Sequence, residues 1–229
     1  MEAPRLTVIV PAFNEEATIS DVINRVRKVQ ISKQIVVVND GSTDGTACVL
    51  EREALHGDIE VITHQKNQGK GAAVRTGLEQ VRGKVVIIQD ADLEYDPDEY
   101  ADLLAPIERG ITEVVYGSRF LGAPRTAMHF WHALGNRFLT LVANVLYDTT
   151  LSDLETGYKV FTAEVARSLR LRSNGWGVDP EITAKILRQG HRIYEVPISY
   201  AGREYNEGKK ITWRDGITVL FTMLRYRIW

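Results

Sequence analysis

The chain has little with which to cross-link, anchor or steer itself. A single cysteine, Cys48, stands among 229 residues, so no intrachain disulfide can form and a reducing compartment is expected. There is no basic surplus either. Lys and Arg number 28 against 30 Asp and Glu, for a net charge of −2, which argues against a general nucleic-acid binder. No apolar run approaches the roughly 20 residues of a membrane-spanning helix. The start, MEAPRLTVIVPAF, is too short in apolar residues for a secretory signal. No repeat, low-complexity tract or linker appears. The expectation is one domain over residues 1–229, cytoplasmic or peripheral on the cytoplasmic face of a membrane. Nothing in the sequence sets its oligomeric state.

What is present is a run of short Val/Ile-rich segments: LTVIV (6–10), QIVVV (34–38), IEVIT (59–63), KVVIIQ (84–89) and EVVYG (113–117). Continuous rather than alternating apolar character predicts strands buried on both faces, as in a parallel sheet. Segments of helical period lie between them. Ile19, Val22, Ile23, Val26 and Val29 form one stripe, with Asn14 as its expected cap. DPDE (96–99) carries Asp, Pro and Glu where a helix start wants them. Four strand–helix alternations predict a right-handed α/β fold. Further on, residues 129–148 predict a long helix whose apolar face carries Trp131, Leu134, Phe138, Leu141, Val142 and Val145. GYKVFT and HRIYEVPISY predict strands, and DPEITAKILRQG a helix beginning near Pro180.

DGSTDGTACVLE (40–51) has the spacing of a calcium-binding EF-hand loop. The segment before it is a strand rather than a helix, and Cys48 at its ninth position is a poor ligand for a hard cation. Asp40 is instead expected at the carboxyl end of a parallel strand, where open α/β sheets bind ligands. Ser42 or Thr43 is the expected cap of the next helix.

QDADLEY is the strongest local signal. Asp90, Asp92 and Glu94 are spaced two apart at a strand end, and alternation in extended chain would turn all three the same way. Three carboxylates together call for a cation, and oxygen donors suit Mg²⁺ or Mn²⁺ held jointly with substrate phosphates. NQGKG (67–71) fails the P-loop pattern but places Lys70 and free amides at a helix start, a candidate anion contact. Arg119, Arg137, Arg203, Lys209 and Lys210 are candidate anion ligands in the second half. His129 and His132 lack a third ligand and read as structural. Asp153 and Glu155 adjoin a strand, where either can face a cleft.

VIVPAFNEE, VVVNDGSTDGT, NQGKGAAVRTGL, QDADLEYDP, GSRF, SDLETGYKVF, DPEITAKI and VPISYAGREYNEGKK follow one another over nearly the whole chain. With these motifs the sequence resembles the family 2 glycosyltransferases of GT-A fold, and among them the polyprenol- or dolichol-phosphate sugar synthases. The resemblance implies a Rossmann-like, mostly parallel central sheet flanked by helices. Residues 1–118 would form the nucleotide-sugar half and 119–229 the acceptor half. It implies inverting transfer of a hexose from a nucleotide sugar of GDP-mannose or UDP-glucose type to polyprenyl or dolichyl phosphate, with Mg²⁺ or Mn²⁺ on the leaving diphosphate. Pro11, Ala12, Asn14, Glu15, Asp40 and Ala91 would line the donor pocket with Asp90. Asp92 would be the main metal ligand, joined by Glu94, although the family commonly has Gln there. Arg119, Arg137 and Arg203 would hold the acceptor phosphate. Arg203 and Lys209 would serve the donor diphosphate, although EGKK departs from the usual G-x-S-K and leaves Lys209 and Lys210 both open.

A phosphate acceptor is already ionised and needs no general base. A hydroxyl acceptor, on a polysaccharide or a soluble molecule, would need one, and Asp153 is the candidate. A nucleotidyltransferase would open with a Gly-rich loop, which PAFNEE lacks. Intact carboxylates at Asp90 and Asp92 argue against a non-catalytic nucleotide-binding module.

Overall fold

The computed structural model describes residues 3–122, 124, 126, 129–202 and 213–228. Seven strands form one sheet in the order β3-β2-β1-β4-β6-β5-β7. They are β1 (Leu6–Ala12), β2 (Lys33–Asn39), β3 (Ile59–Thr63), β4 (Val85–Ile88), β5 (Val114–Ser118), β6 (Lys159–Thr162) and β7 (Ile193–Pro197). The helices are α1 (Ile19–Lys28), α2 (Thr46–Ala54), α3 (Lys70–Leu78), α4 (Tyr100–Glu108), α5 (Phe130–Tyr147), α6 (Ala163–Ser168), α7 (Val178–Arg188) and α8 (Trp213–Ile228). A single 3₁₀ turn, Pro97–Glu99, precedes α4.

The apolar runs behave as strands covered on both faces. Val8 and Val10 of β1 join one core with Val22, Ile23 and Leu103, while Ile9 between them joins the other with Val74, Phe161 and Ile182. Each such side chain contributes roughly 1.5–3 kcal/mol by leaving water. Helix α3 lies so close to β1 that a Cβ on Gly77 would sit 2.4 Å from Ile9 Cγ2.

The expectation of a parallel sheet holds for β1, β2, β3 and β4 and for the pair β5–β7. Strand β6 departs from it and runs antiparallel between β4 and β5. Tyr116 near the end of β5 pairs with Lys159 at the start of β6. The chain therefore leaves the sheet at 118 and returns beside its own exit, and a returning strand must run the other way. Two caps also differ. Helix α1 begins only at Ile19 after Thr18; Asn14 sits upstream with φ +54°, its carboxamide oxygen accepting from Thr43 N at 2.8 Å. Asp96 caps as expected by accepting from Asp98 N, yet the element it caps is the 3₁₀ turn rather than α4, and Glu99 instead accepts from Ser199 N.

Candidate active site

The carboxyl ends of β1, β2, β4 and β5 share one edge of the sheet, so Pro11–Ala12, Asp40, Asp90 and Arg119 arrive together. Above them lies a cavity of about 1060 Å³, closed on the far side by α5, α7 and α8. Pro11, Ala12, Glu15, Asp40, Lys70, Asp90, Ala91, Asp92, Glu94 and Arg119 all line it. Asn14 and Arg137 do not. Asn14 is turned to Thr43 as above, and Arg137 lies over the Phe120 ring, 5.6 Å from its centroid, on the exposed side of α5. Arg203, Lys209 and Lys210 fall outside the described residues.

Asp40 is committed to a structural task. Its carboxylate accepts from Gln68 N and Gly69 N, at 3.0 and 2.7 Å, and lies 2.6 Å from His64 Nδ1. Two amides just ahead of α3, those of Gln68 and Gly69, are thus taken by Asp40 itself. In the EF-hand-like stretch, Asp44 turns away from Asp40 and accepts from Thr46 N at 3.0 Å. Ser42 accepts from Asn14 N, and neither it nor Thr43 caps α2, whose cap position is Gly45. No calcium loop forms.

Asp90, Asp92 and Glu94 reach the same cavity, but not by alternation. Strand β4 ends at Ile88, and the chain bends through Leu93 at φ +64°. Asp92 accepts from Glu94 N at 3.2 Å, and Glu94 accepts from Tyr200 Oη at 2.9 Å. Asp90 lies 2.9 Å from Lys70 Nζ. Behind it runs a buried chain of charge: Lys70 contacts Asp179 at 3.4 Å, and Asp179 contacts Lys159 at 3.0 Å. Burial alone would lower the Lys70 pKa, but Asp179 and Asp90 reverse this and hold the ammonium charged. Gly157 packs tightly beside this chain, where a Cβ would sit 2.3 Å from Asp90 Oδ2 and 2.8 Å from the Tyr95 ring.

The oxygen donors fit a hard divalent cation. Among the described residues no three His, Cys, Asp or Glu side chains close a metal cage. Asp90, Asp92 and Glu94 therefore do not converge as one three-carboxylate cluster; Mg²⁺ needs only one or two carboxylates when it is shared with substrate phosphates.

Asp153 is not placed to act as a base. It is fully buried and accepts from Arg119 Nε and Nη2 at 2.7 and 2.8 Å and from Asn136 Nδ2 at 2.7 Å. Burial would raise its pKa, but Arg119 and Asn136 hold it below the ordinary aspartate value. Glu155 is the one of the two that faces the cavity. Burial, then Asp179, push its pKa up to about 7.

Lys159 and Asp179 lie in the motifs SDLETGYKVF and DPEITAKI, but nothing in either motif assigns them to this site, and Trp176 lies outside every motif. Lys159 sits inside an apolar strand, Asp179 in what reads as a helix start, and only the tertiary fold brings them to Lys70. Helix α5 also surprises. Its apolar face does not pack on the sheet; Asn136, Thr140 and Ala143 are buried, while Trp131, Phe138 and Val145 are 76, 54 and 75% exposed. The inward side is mixed: Asn136 donates to Asp153 and Thr140 accepts from Leu154 N, while Leu139, Val142 and Leu146 pack with Ala143 against Val219 and Met223.

A mostly parallel sheet that opens a cavity beyond the carboxyl ends of its strands defines a class of α/β ligand-binding proteins. The sequence places it within that class: residues 7–169 match glycosyl transferase family 2, and the chain belongs to this family. It is a glycosyltransferase. It is 30% identical to an undecaprenyl-phosphate mannosyltransferase of Micrococcus luteus, covering 90% of this chain and 87% of that one. It is 32% identical to a dolichyl-phosphate beta-glucosyltransferase of Trichomonas vaginalis, over 85% of this chain and 63% of that protein. In fold it matches glucosyl-3-phosphoglycerate synthase of Mycobacterium tuberculosis, solved with Mn²⁺, UDP-glucose and phosphoglyceric acid. The TM-score is 0.73 at 21% identity, over 98% of this chain and 80% of that one.

Proposed function

We propose that the protein transfers a hexose, with inversion, from a nucleotide sugar of GDP-mannose or UDP-glucose type to a polyprenyl or dolichyl phosphate. One observation carries this reading: a single cavity joins carboxylates Asp90, Asp92 and Glu94 at one end to Trp131, Phe138, Leu139, Ile217 and Leu220 at the other. A phosphate head on an apolar chain is the kind of acceptor that suits both ends. The names of the relatives from Micrococcus and Trichomonas support the same substrate class.

Asp92, joined by Glu94, would hold Mg²⁺ or Mn²⁺ together with the donor diphosphate. Such an ion neutralises the charge that grows on the leaving diphosphate. Lys70 adds a fixed positive charge at the same wall. The acceptor phosphate, ionised at neutral pH, attacks the anomeric carbon without a base, which accords with Asp153 being sealed against Arg119. Arg119 lines the same cavity and lies over the Tyr200 ring, 5.1 Å from its centroid.

The exposed residues of α5 continue onto α8, where Ile217, Phe221 and Ile228 are 57, 66 and 73% exposed. Arg137, Arg225 and Arg227 lie on the same two helices. This is the composition of an interfacial surface and favours peripheral contact with a lipid bilayer. No helix among the described residues is long and apolar enough to cross one.

The test is a transfer assay with Mg²⁺ or Mn²⁺ and a polyprenyl phosphate in detergent. GDP-mannose, UDP-glucose and UDP-N-acetylglucosamine are supplied in turn. Sugar entering the lipid phase from one donor is the expected result. Nucleotide-sugar binding with no glycolipid overturns the lipid-phosphate reading in favour of a hydroxyl acceptor.

A further inference from the structure

Among the described residues, the charged groups that act on Glu155 pair with one another and leave it over. Arg119 is matched by Asp153, and the chain Asp90–Lys70–Asp179–Lys159 contains two cations and two carboxylates. Glu155 is the additional acid, with no cation of its own in this set. It lies on the cavity wall, yet its Oε1 is sealed from solvent and has no hydrogen-bond partner among the described residues. The same is true of Oγ1 of the adjacent Thr156. A bare, sealed oxygen on an ionised carboxylate is costly, and a neutral carboxyl group costs far less.

We propose that Glu155 carries a proton in the resting enzyme and that this proton is required for a phosphate-bearing ligand to occupy the cavity. The ligand chemistry is a phosphate anion, from the diphosphate of a nucleotide sugar or from the head of the acceptor. With Glu155 neutral, the buried set carries no net charge. With Glu155 ionised, it presents one net negative charge to an anion across a low-dielectric wall. The neutral carboxyl also offers an O–H that a phosphate oxygen can accept, whereas the carboxylate only accepts.

The groups acting on Glu155 come from every side. Asp179 on α7 and Asp153 in its own loop disfavour ionisation, while Lys159 on β6 and Arg119 after β5 favour it. Lys70 on α3 and Asp90 after β4 are coupled to it through Asp179. Burial and Asp179 prevail, leaving the group to titrate at about 7. The cavity is thereby tuned to lose its affinity for phosphate just above neutrality.

The proposal rests on the cavity being the substrate site of the function proposed above, and the experiment separates the two. Binding of GDP-mannose, UDP-glucose and a short polyprenyl phosphate is measured by calorimetry at fixed Mg²⁺ from pH 6 to 8.5, for wild type and Glu155→Gln. The phosphates of nucleotide sugars do not titrate near neutrality, and the titration of the polyprenyl phosphate is common to both proteins and cancels. For one of the two ligand classes, wild-type Kd should rise by up to about tenfold per pH unit above the titration point. Glu155→Gln, fixed in the neutral form, should lack that limb. Wild type titrated below and above that point in two buffers of different ionisation enthalpy should take up a proton on binding only at the higher pH, a readout independent of the variant. Parallel pH profiles for the two proteins, with no proton uptake, overturn the proposal while leaving the functional reading intact. Absence of binding by any of the three ligands overturns both.

Discussion

Arg119 and Asp153 meet as a two-point pair, Nε to Oδ2 at 2.7 Å and Nη2 to Oδ1 at 2.8 Å, and both are buried. Asp153→Asn leaves the guanidinium enclosed without a counter-charge, and breaking a buried pair this way costs about 3–5 kcal/mol. Urea unfolding at neutral pH should show that loss. The pKa of Asp153 is depressed, so the stability it lends is present above the ordinary aspartate value of 3.8 and is lost as pH falls through its lower folded value. The variant should accordingly lose less stability than wild type on acidification. A variant that stays fully stable yet loses turnover by orders of magnitude would restore Asp153 as a base.

Asp92 is half-buried on the cavity wall and accepts a weak backbone hydrogen bond at 3.2 Å. Asp92→Asn should leave the thermal midpoint unchanged and weaken Mn²⁺ binding in the presence of nucleotide sugar. Turnover should fall by about a hundredfold or more, the scale of removing a group that stabilises transition-state charge. Titrating Mn²⁺ against activity and against binding separates these effects.

Trp131 is exposed on α5 and lines the apolar end of the cavity. Trp131→Ala should change stability by less than about 0.5 kcal/mol. The KM for polyprenyl phosphate should rise roughly tenfold, on the scale of apolar area lost to the ligand, with the KM for nucleotide sugar unchanged. An equal rise in both constants would place Trp131 on the donor side.

Glu155 shifts stability in the opposite direction to Asp153. Its pKa is raised from 4.5 to about 7, so the stability it lends is complete below pH 4.5 and is lost as pH climbs through 7. Glu155→Gln should be more stable than wild type at pH 8 by about 3 kcal/mol. The two proteins should have equal midpoints near pH 4. Thermal melts across that range check the sign.

The sheet was legible because strands buried on both faces write themselves as unbroken apolar runs. Even so, direction is not encoded in such a run: KVFT reads the same parallel or antiparallel, and only the return of the chain beside β5 turns β6 around. The site was legible where it follows directly from a strand end, as at Asp40 and Asp90. It was obscured where a side chain answers a distant partner. Nothing local says that Asp40 occupies the amides of Gln68 and Gly69, that Lys159 inside a strand faces Asp179, or that α5 turns Asn136 inward because Asp153 needs it. An amphipathic pattern reports that a helix has two faces, not which one the core takes.

The pairing of Tyr116 with Lys159, and of Arg119 with Asp153 just beyond, makes residues 119–158 a detour fastened at its base by a buckle. Ser118 and Ser152, 2.6 Å apart through their hydroxyls, tighten the same clasp. Closing a longer detour costs only about 0.6 kcal/mol per doubling of length, far less than the buckle supplies. The detour can therefore be lengthened or shortened away from its fastened ends without asking the sheet to fold differently. The course of the detour becomes a property that can drift on its own, while the strands beneath it stay fixed.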